Sequence, residues 1–335
     1  MIKNIDVEPA HFSPRLAVSA TINTDGGVFS ITFAEARSIG SYRDWREETQ
    51  TIIRKGSISL YEDERLLFRE ESERFDMSLN SARSGYSTGA KGLEFKAGAS
   101  CKLVVEIDGY PTASAITIIP EAPIIEHISA DMQQFVKKNN PYKVEPRGHS
   151  GHFYGEITMS PLTIRIKDNS SQRNYYMVQR SDRQDVYPDG SPMGGLTFIG
   201  ISNTALIQDN PDMESAQSFL EGEETDVYLF DRILLSDMSF PNTTGTLDLW
   251  VANTSYKKPC ETPAGYLFLD ILVSHLSAAT FEHYRSLALQ SNGTGFFSEP
   301  VSIAGNIENG YGCFAAINTV RTTVAKQEFC EGIYY

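Results

Sequence analysis

Between Cys101 and Asp108 the chain reads C-K-L-V-V-E-I-D, and this alternation restricts the fold more than any other feature of the sequence. Cys101, Leu103, Val105 and Ile107 fall on one side of an extended chain. Lys102, Glu106 and Asp108 fall on the other, with Val104 the exception. A period of two marks a strand with one buried face. It places Cys101 in a core, as an inert thiol. Residues 15–22, 28–33, 56–63 and 113–120 read the same way, rich in Val, Ile, Leu, Ser and Thr. Turn formers such as Asp25-Gly26-Gly27 and Asp108-Gly109 separate them, with no helical period between. Strands at this spacing predict an N-terminal immunoglobulin-like β-sandwich.

Over residues 120–148 the pattern loosens and four prolines appear, so a domain boundary is placed here. A chain of 335 residues exceeds the size at which single cores stop growing, so two domains are expected, 1–121 and 122–335. Beyond the boundary, residues 162–168, 174–181, 196–201, 228–236, 245–252 and 266–276 read as strands. Two stretches read as helices, 211–220 and 277–292. In the second, Ser277 is a fair N-cap, and Phe281, Tyr284, Leu287 and Ala288 share a face. Residues 314–324 return to strand character. The expected class is all-β: the N-terminal sandwich, then a larger antiparallel β-sandwich or barrel domain with one or two short helices.

Acidic residues outnumber basic ones 43 to 29, for a net charge of −14. Such a surface repels phosphate backbones and anionic lipid, which argues against nucleic acid as a partner. No apolar run approaches the roughly 20 residues that span a bilayer. The first residues lack the apolar region of a secretory leader, so the chain is either cytosolic or its leader has been removed. None of the four cysteines has a C-x-x-C spacing, which argues against a zinc ribbon or dithiol redox site. Cys260 and Cys330 stand in polar, Pro- or Gly-bearing segments, where pairing in an oxidising compartment suits them.

The stretch R-G-H-S-G-H-F-Y-G-E, 147–156, resembles a nucleophile elbow but has His152 where the second glycine belongs, and the chain shows no βα alternation to hold one. A hydrolase is therefore a remote alternative. His149 and His152, with Glu156, are weak candidates for metal ligands, but no third ligand stands at a recognisable spacing. No cofactor is expected. The acidic patches at 208–215 and 221–226 lack the calcium-loop pattern and read as solvated surface. Tyr175, Tyr176 and Trp250 stand within strands and are expected to fill core or interdomain space. Trp45 lies in the charged segment 41–49, with Arg43 and Arg46 beside it. That is the composition of an interface anchor with a polar rim, and its rival is a Trp45 folded back over the sandwich edge.

Near the C-terminus, Phe297, Pro300, Asn306, Ile307, Glu308, Gly310, Gly312, Phe314 and Ala316 follow a helix carrying Tyr284 and Gln290. This pattern resembles the C-terminal signature of a Bacteroidota lipoprotein family known as domain of unknown function 4249. Asn309 replaces the first of the family's paired glycines. Asn174-Tyr175-Tyr176, the Y-L-F-D-R-I-L strand and T-I-I-P-E-A-P-I extend the resemblance over nearly the whole chain. Where the family often has a Tyr-x-Leu-x-Val strand, this chain has Cys101-Lys102-Leu103-Val104-Val105. The signature, 296–324, is assigned to the second domain. Its G-N-I-E-N-G-Y-G run reads as a structural loop, with glycines suited to positive φ and Asn306 suited to bonding nearby backbone.

The resemblance implies location and company rather than a reaction. It implies a lipoprotein at the outer membrane, periplasmic or surface-facing, whose signal peptide has been removed and whose membrane contact is a lipid anchor. The lipidated cysteine expected near the start is not found, so Met1 is read as an engineered start. The resemblance further implies company with TonB-dependent receptors and carries no catalytic residues. The expected function is a non-catalytic accessory or ligand-binding partner of a TonB-dependent transporter, its ligand a small molecule, peptide or glycan. A structural adhesin or surface-assembly subunit is the alternative. A disulfide between Cys260 and Cys330, tying the tail beyond the signature to the loop before strand 266–276, is also expected.

Overall fold

The computed structural model describes residues 14–36, 52–77, 79–80, 83–132, 136–139, 156–168, 173–184, 199–201, 228–230, 232–236, 244–252, 263–292 and 302–330. The chain forms two compact units. One comprises Met1–Pro120 with Ile303–Ile317, and the other Glu121–Ser302 with Asn318–Tyr335. The division after Pro120 falls one residue from the boundary read in the sequence. Residues 303–317, assigned by that reading to the second domain, group with the first.

The first unit contains β1 (Arg15–Asn23), β2 (Val28–Ala36), β3 (Ile53–Glu62), β4 (Arg65–Asp76), β5 (Leu79–Asn80), β6 (Arg83–Ser84), β7 (Tyr86–Ala90), β8 (Ser100–Ile107) and β9 (Ala113–Ile118). Strands β1, β2 and β7 form one antiparallel run, and β4, β3, β8 and β9 form a second sheet. Leu16, Val18, Ala20 and Ile22 of β1 alternate inward. They meet Ile58 and Leu60 of β3 and the Cys101–Leu103–Val105–Ile107 face of β8 in one core. This is a β-sandwich, as the alternation predicts, with Cys101 fully buried. Aromatic rings fill its middle: Phe75 lies 5.6 Å from Phe33 and 4.8 Å from Tyr86, both edge-on.

Strand β4 has no strand pattern in its sequence. Its sequence R-L-L-F-R-E-E-S-E-R-F-D carries charge on most positions because it is a sheet edge, where charge blocks pairing with other chains. The hairpin from β3 turns through Asp63 and Glu64, both with positive φ (44° and 70°), as a twist-matched two-residue turn requires. Glu70 of β4 accepts hydrogen bonds from the Tyr86 hydroxyl and, at 2.6 Å, from Thr88, tying β4 to β7 across the sandwich.

The second unit contains β10 (Ile124–Ala130), β11 (Val136–Asn139), β12 (Glu156–Lys167), β13 (Tyr175–Gln184), β14 (Ile199–Ile201), β15 (Tyr228–Phe230), β16 (Ile233–Ser236), β17 (Thr244–Ala252), β18 (Pro263–Leu276) and helix α1 (Ala278–Asn292). The last strand, β19 (Gly310–Cys330), gives its first residues to the first unit and the rest to the second. One sheet runs β10-β12-β17-β14-β15, with β11 on β12, and β16, β13, β18 and the later part of β19 form the other. Leu162, Ile164 and Ile166 of β12 and Leu247, Leu249 and Val251 of β17 pack against Val178, Ile271 and Val273. The unit is thus an antiparallel sandwich with one helix among the described residues. Ser277 caps α1 as expected, its Oγ accepting the Thr280 N–H at 3.3 Å. Phe281 is buried and stacks on Tyr175 at 4.5 Å, whereas Leu287, expected on the same face, is exposed.

Candidate functional site

The signature residues come together as the completing strand of the first sandwich. The start of β19 pairs with β1 in parallel, with Leu16 opposite Gly310, Val18 opposite Gly312, Ala20 opposite Phe314 and Ile22 opposite Ala316. The inward positions of the pattern are therefore Gly310, Gly312, Phe314 and Ala316, and Phe314 and Ala316 join the core. Each glycine answers a close approach of backbone. A Cβ on Gly312, whose φ is +103°, would overlap the Val18 carbonyl oxygen, and one on Gly310 would stand 2.8 Å from the Leu16 carbonyl oxygen.

Upstream of the strand, the segment folds back on itself. The Asn306 side chain spans Phe314 like a rung of ladder: its Nδ2 donates to the Phe314 carbonyl at 3.0 Å, and its Oδ1 accepts the Phe314 N–H at 2.8 Å. The Asn306 N–H donates to the Gly312 carbonyl at 3.2 Å. The reversal passes through Asn309, at φ 57°. Asn tolerates the left-handed region better than other non-glycine residues, so Asn309 can replace the family's glycine there. The turn position expected of a glycine is thus filled by Asn309, while Gly310 and Gly312 lie on the strand. Glu308 bridges to the other sheet: its N–H donates to the Ser114 carbonyl at 2.7 Å, and its carbonyl accepts the Ser114 N–H at 3.2 Å. Asn309 Nδ2 donates to the Thr112 carbonyl at 3.2 Å. The segment closes the seam between β1 and β9.

A second feature of the first unit is an open polar cleft of about 720 Å³ over β3, β4 and β8, lined by Lys55, Ser57, Glu71, Glu73, Glu106, Asp108, Tyr110 and Thr112. A bulge between Arg54 and Gly56 opens it, and Gly56 is held to glycine because a Cβ would overlap the Glu106 carbonyl oxygen. The Asp108-Gly109 turn forms one wall, with the Asp108 N–H donating to the Lys55 carbonyl at 2.9 Å. Ser57 Oγ donates to Glu106 at 3.1 Å, and the Tyr110 hydroxyl donates to Glu35. Lys55 contacts Glu73 at 2.6 Å, and that hydrogen bond and charge raise its pKa above the ordinary value. Sequence reasoning missed this cleft. Only the Asp-Gly turn and the glycine within β3 pointed towards it.

Trp45, Arg43, Arg46, His149, His152 and Cys260 lie outside the described residues, as do the acidic patches at 208–215 and 221–226. Cys330 ends β19, and its expected bond to Cys260 therefore falls outside the described residues as well. No group of three His, Cys, Asp or Glu is placed to hold a metal among the described residues. Cys101 and Cys313 are buried free thiols. Burial, helped by Glu62 and Asp63, pushes Cys101 up to about 12, and burial pushes Cys313 up to about 11.

Solved structures with some likeness include a glycosyl hydrolase family 2 member from Bacteroides cellulosilyticus (TM-score 0.20, 9% identity, 80% of this chain) and a membrane-anchored protein described as putative from Corynebacterium diphtheriae (TM-score 0.19, 11% identity, 90% of this chain). The chain spans 28% and 58% of the length of these two, and at such scores neither bears on function. No curated protein matches the chain at a significant level. Residues 2–323 match the family described as Domain of unknown function (DUF4249), and the chain belongs to that family.

Proposed function

We propose that this protein is a non-catalytic outer-membrane lipoprotein that binds a polar ligand as the accessory partner of a TonB-dependent transporter. The carrying observation is the cleft on the first unit, where hydrogen-bonding side chains of both charges project from paired strands. Side chains fixed on strands are positioned more closely than those on loops, which suits recognition of a small molecule, peptide or glycan. Family membership supports the membrane location and the transporter, through what the resemblance implies. The test is recovery of outer-membrane receptors from native cells with tagged protein, alongside binding to glycan and peptide arrays. A Lys55→Ala/Glu106→Gln double variant should lose at least tenfold in array binding, while Trp45→Ala should lower receptor recovery. Unchanged array binding by the cleft variant and unchanged receptor recovery with Trp45→Ala would remove the two halves of the reading separately.

One observation favours a structural adhesin or surface-assembly subunit instead. Ile116 and Ile118 on β9 are 62% and 60% exposed, an uncharged apolar pair on the outside of a sheet. Association of the protein with itself that is abolished by Ile116→Lys, with array binding intact, would move the assignment to that class.

A further inference from the structure

We propose that the β1 edge of the first sandwich, with the adjoining end of β9, is a strand-acceptor site, and that residues 302–317 are a separable donor occupying it in cis. The donor is remote in sequence. The last strand before it in the unit, β9, ends at Ile118, and the donor returns only at Ile303. Its pairing with β1 is parallel, which no hairpin can make and which a strand arriving from elsewhere in the chain can.

The donor is also braced within itself. Asn306 clamps the Phe314 backbone through both side-chain atoms, so the extended arm and its returning turn are bonded to each other as well as to the acceptor. Its bonds to the acceptor are mostly backbone, to β1 along eight residues and to Ser114 through Glu308, with side-chain bonds from Asn309 to Thr112 and between Glu308 and Ser114 at the end of β9. The side chains that enter the core beside β1 are Phe314 and Ala316, with Ile307 packed against it and two glycines where backbone comes close. Added strands are recognised in this way: main-chain bonds supply affinity, and alternate side chains supply selectivity. Without the donor, β1 would keep its inward Leu16, Val18, Ala20 and Ile22 beside an unpaired edge.

The experiment uses full-length chain carrying Gly312→Val, which places a side chain against the Val18 carbonyl, and a fluorescent peptide of the sequence SIAGNIENGYGCFAAI, residues 302–317. Hydrogen exchange should show loss of protection along β1 with β3 and β8 still protected. The variant should bind the peptide at least tenfold more tightly than the unaltered chain, and the bound peptide should restore β1 protection. A peptide with the same Gly→Val change should bind at least tenfold more weakly. Asn306→Ala, which loosens the brace and leaves the glycines, is the second variant and should take up peptide at least tenfold faster than the unaltered chain. Retained β1 protection in Gly312→Val overturns the proposal. So does loss of β3 and β8 protection that the peptide fails to restore, together with uptake by Asn306→Ala no faster than by the unaltered chain.

Discussion

Residues 310–317 and residues 318–330 belong to one unbroken strand, β19, yet they are held by different chemistry. The first part meets β1 through backbone, and its inward side chains are two glycines, a phenylalanine and an alanine set by the space available. The later part is paired with β18 in the sheet as well, and adds polar side-chain bonds to it. Thr319 shares a 2.8 Å hydrogen bond with Ser274, and the fully buried Asp270 accepts from Thr323 Oγ1 at 2.6 Å and from Arg321 at 3.1 Å. Further along, Lys326 Nζ sits 3.5 Å over the Tyr266 ring. The difference teaches where each half is vulnerable: the first to side-chain volume, the second to the loss of one charge.

The sharpest way to break this comparison is Gly312→Val. It combines a disfavoured φ with overlap onto backbone, and should lower the stability of the first unit by on the order of 4 kcal/mol. Urea unfolding followed by hydrogen exchange should show early loss in β1 and β9 and little change in β12 and β17. An equal loss in both units would mean that the two halves do not act separately. The reciprocal change is Asp270→Ala, which removes the buried carboxylate that Arg321 and Thr323 address. Breaking a buried ion pair costs about 3 kcal/mol, and here the loss should fall on β13 and β18. Sparing of β18 would show that Arg321 is served by solvent instead.

The same contrast explains what the sequence disclosed. Strands with one buried face, such as β8, β12 and β17, announce themselves by alternation, because the pleat converts period two into burial. Strand β4 did not, since an edge strand carries charge on both sides. Residues 228–236 read as one apolar strand but form β15 and β16 in different sheets, a break that hydropathy does not record. The signature was legible as a pattern, and Asn306 as a backbone-bonding residue. Its partner was not: the pairing of Leu16 with Gly310 links positions that no local rule connects. The cleft was illegible for a related reason. Lys55, Glu73 and Glu106 each look like ordinary surface residues, and it takes the bulge between β3 and β4 and the pairing of β3 with β8 to gather them.

A smaller effect sharpens the comparison within the first half. Asn306→Ala leaves the glycines and core residues in place but removes both side-chain bonds to Phe314. Leaving a partly buried N–H and carbonyl without these partners should cost about 2 kcal/mol, roughly half the effect of Gly312→Val. Asn306→Asp should recover part of this, because an aspartate can still accept the Phe314 N–H but has no N–H to donate to its carbonyl. Equal losses for Ala and Asp would place the energy in the Nδ2 bond alone.

The smallest effect is one that neutral pH conceals. Burial holds the Cys313 thiol up to about 11, against an ordinary value of 9.0, so the folded chain keeps a proton that the unfolded chain releases above pH 9. The sign follows: an acid raised by folding leaves stability unchanged below pH 8, lowers it as pH rises from 9 to 11, and adds no further loss above that. At pH 10, one unit above the unfolded value and about one below the folded, the loss from this group is about 1.4 kcal/mol. Cys101, pushed up to about 12 in the same unit, contributes in the same direction, so a single substitution removes only part of the alkaline loss. Cys313→Ala should therefore narrow the difference in first-unit stability between pH 7 and pH 10 by about that amount, whatever it does at pH 7. In the second unit, the difference between the two pH values should be the same with and without the substitution. An unchanged pH difference in the first unit would mean that the thiol reaches water in the native strand, and that this half of β19 is less tightly closed than its packing against β1 implies.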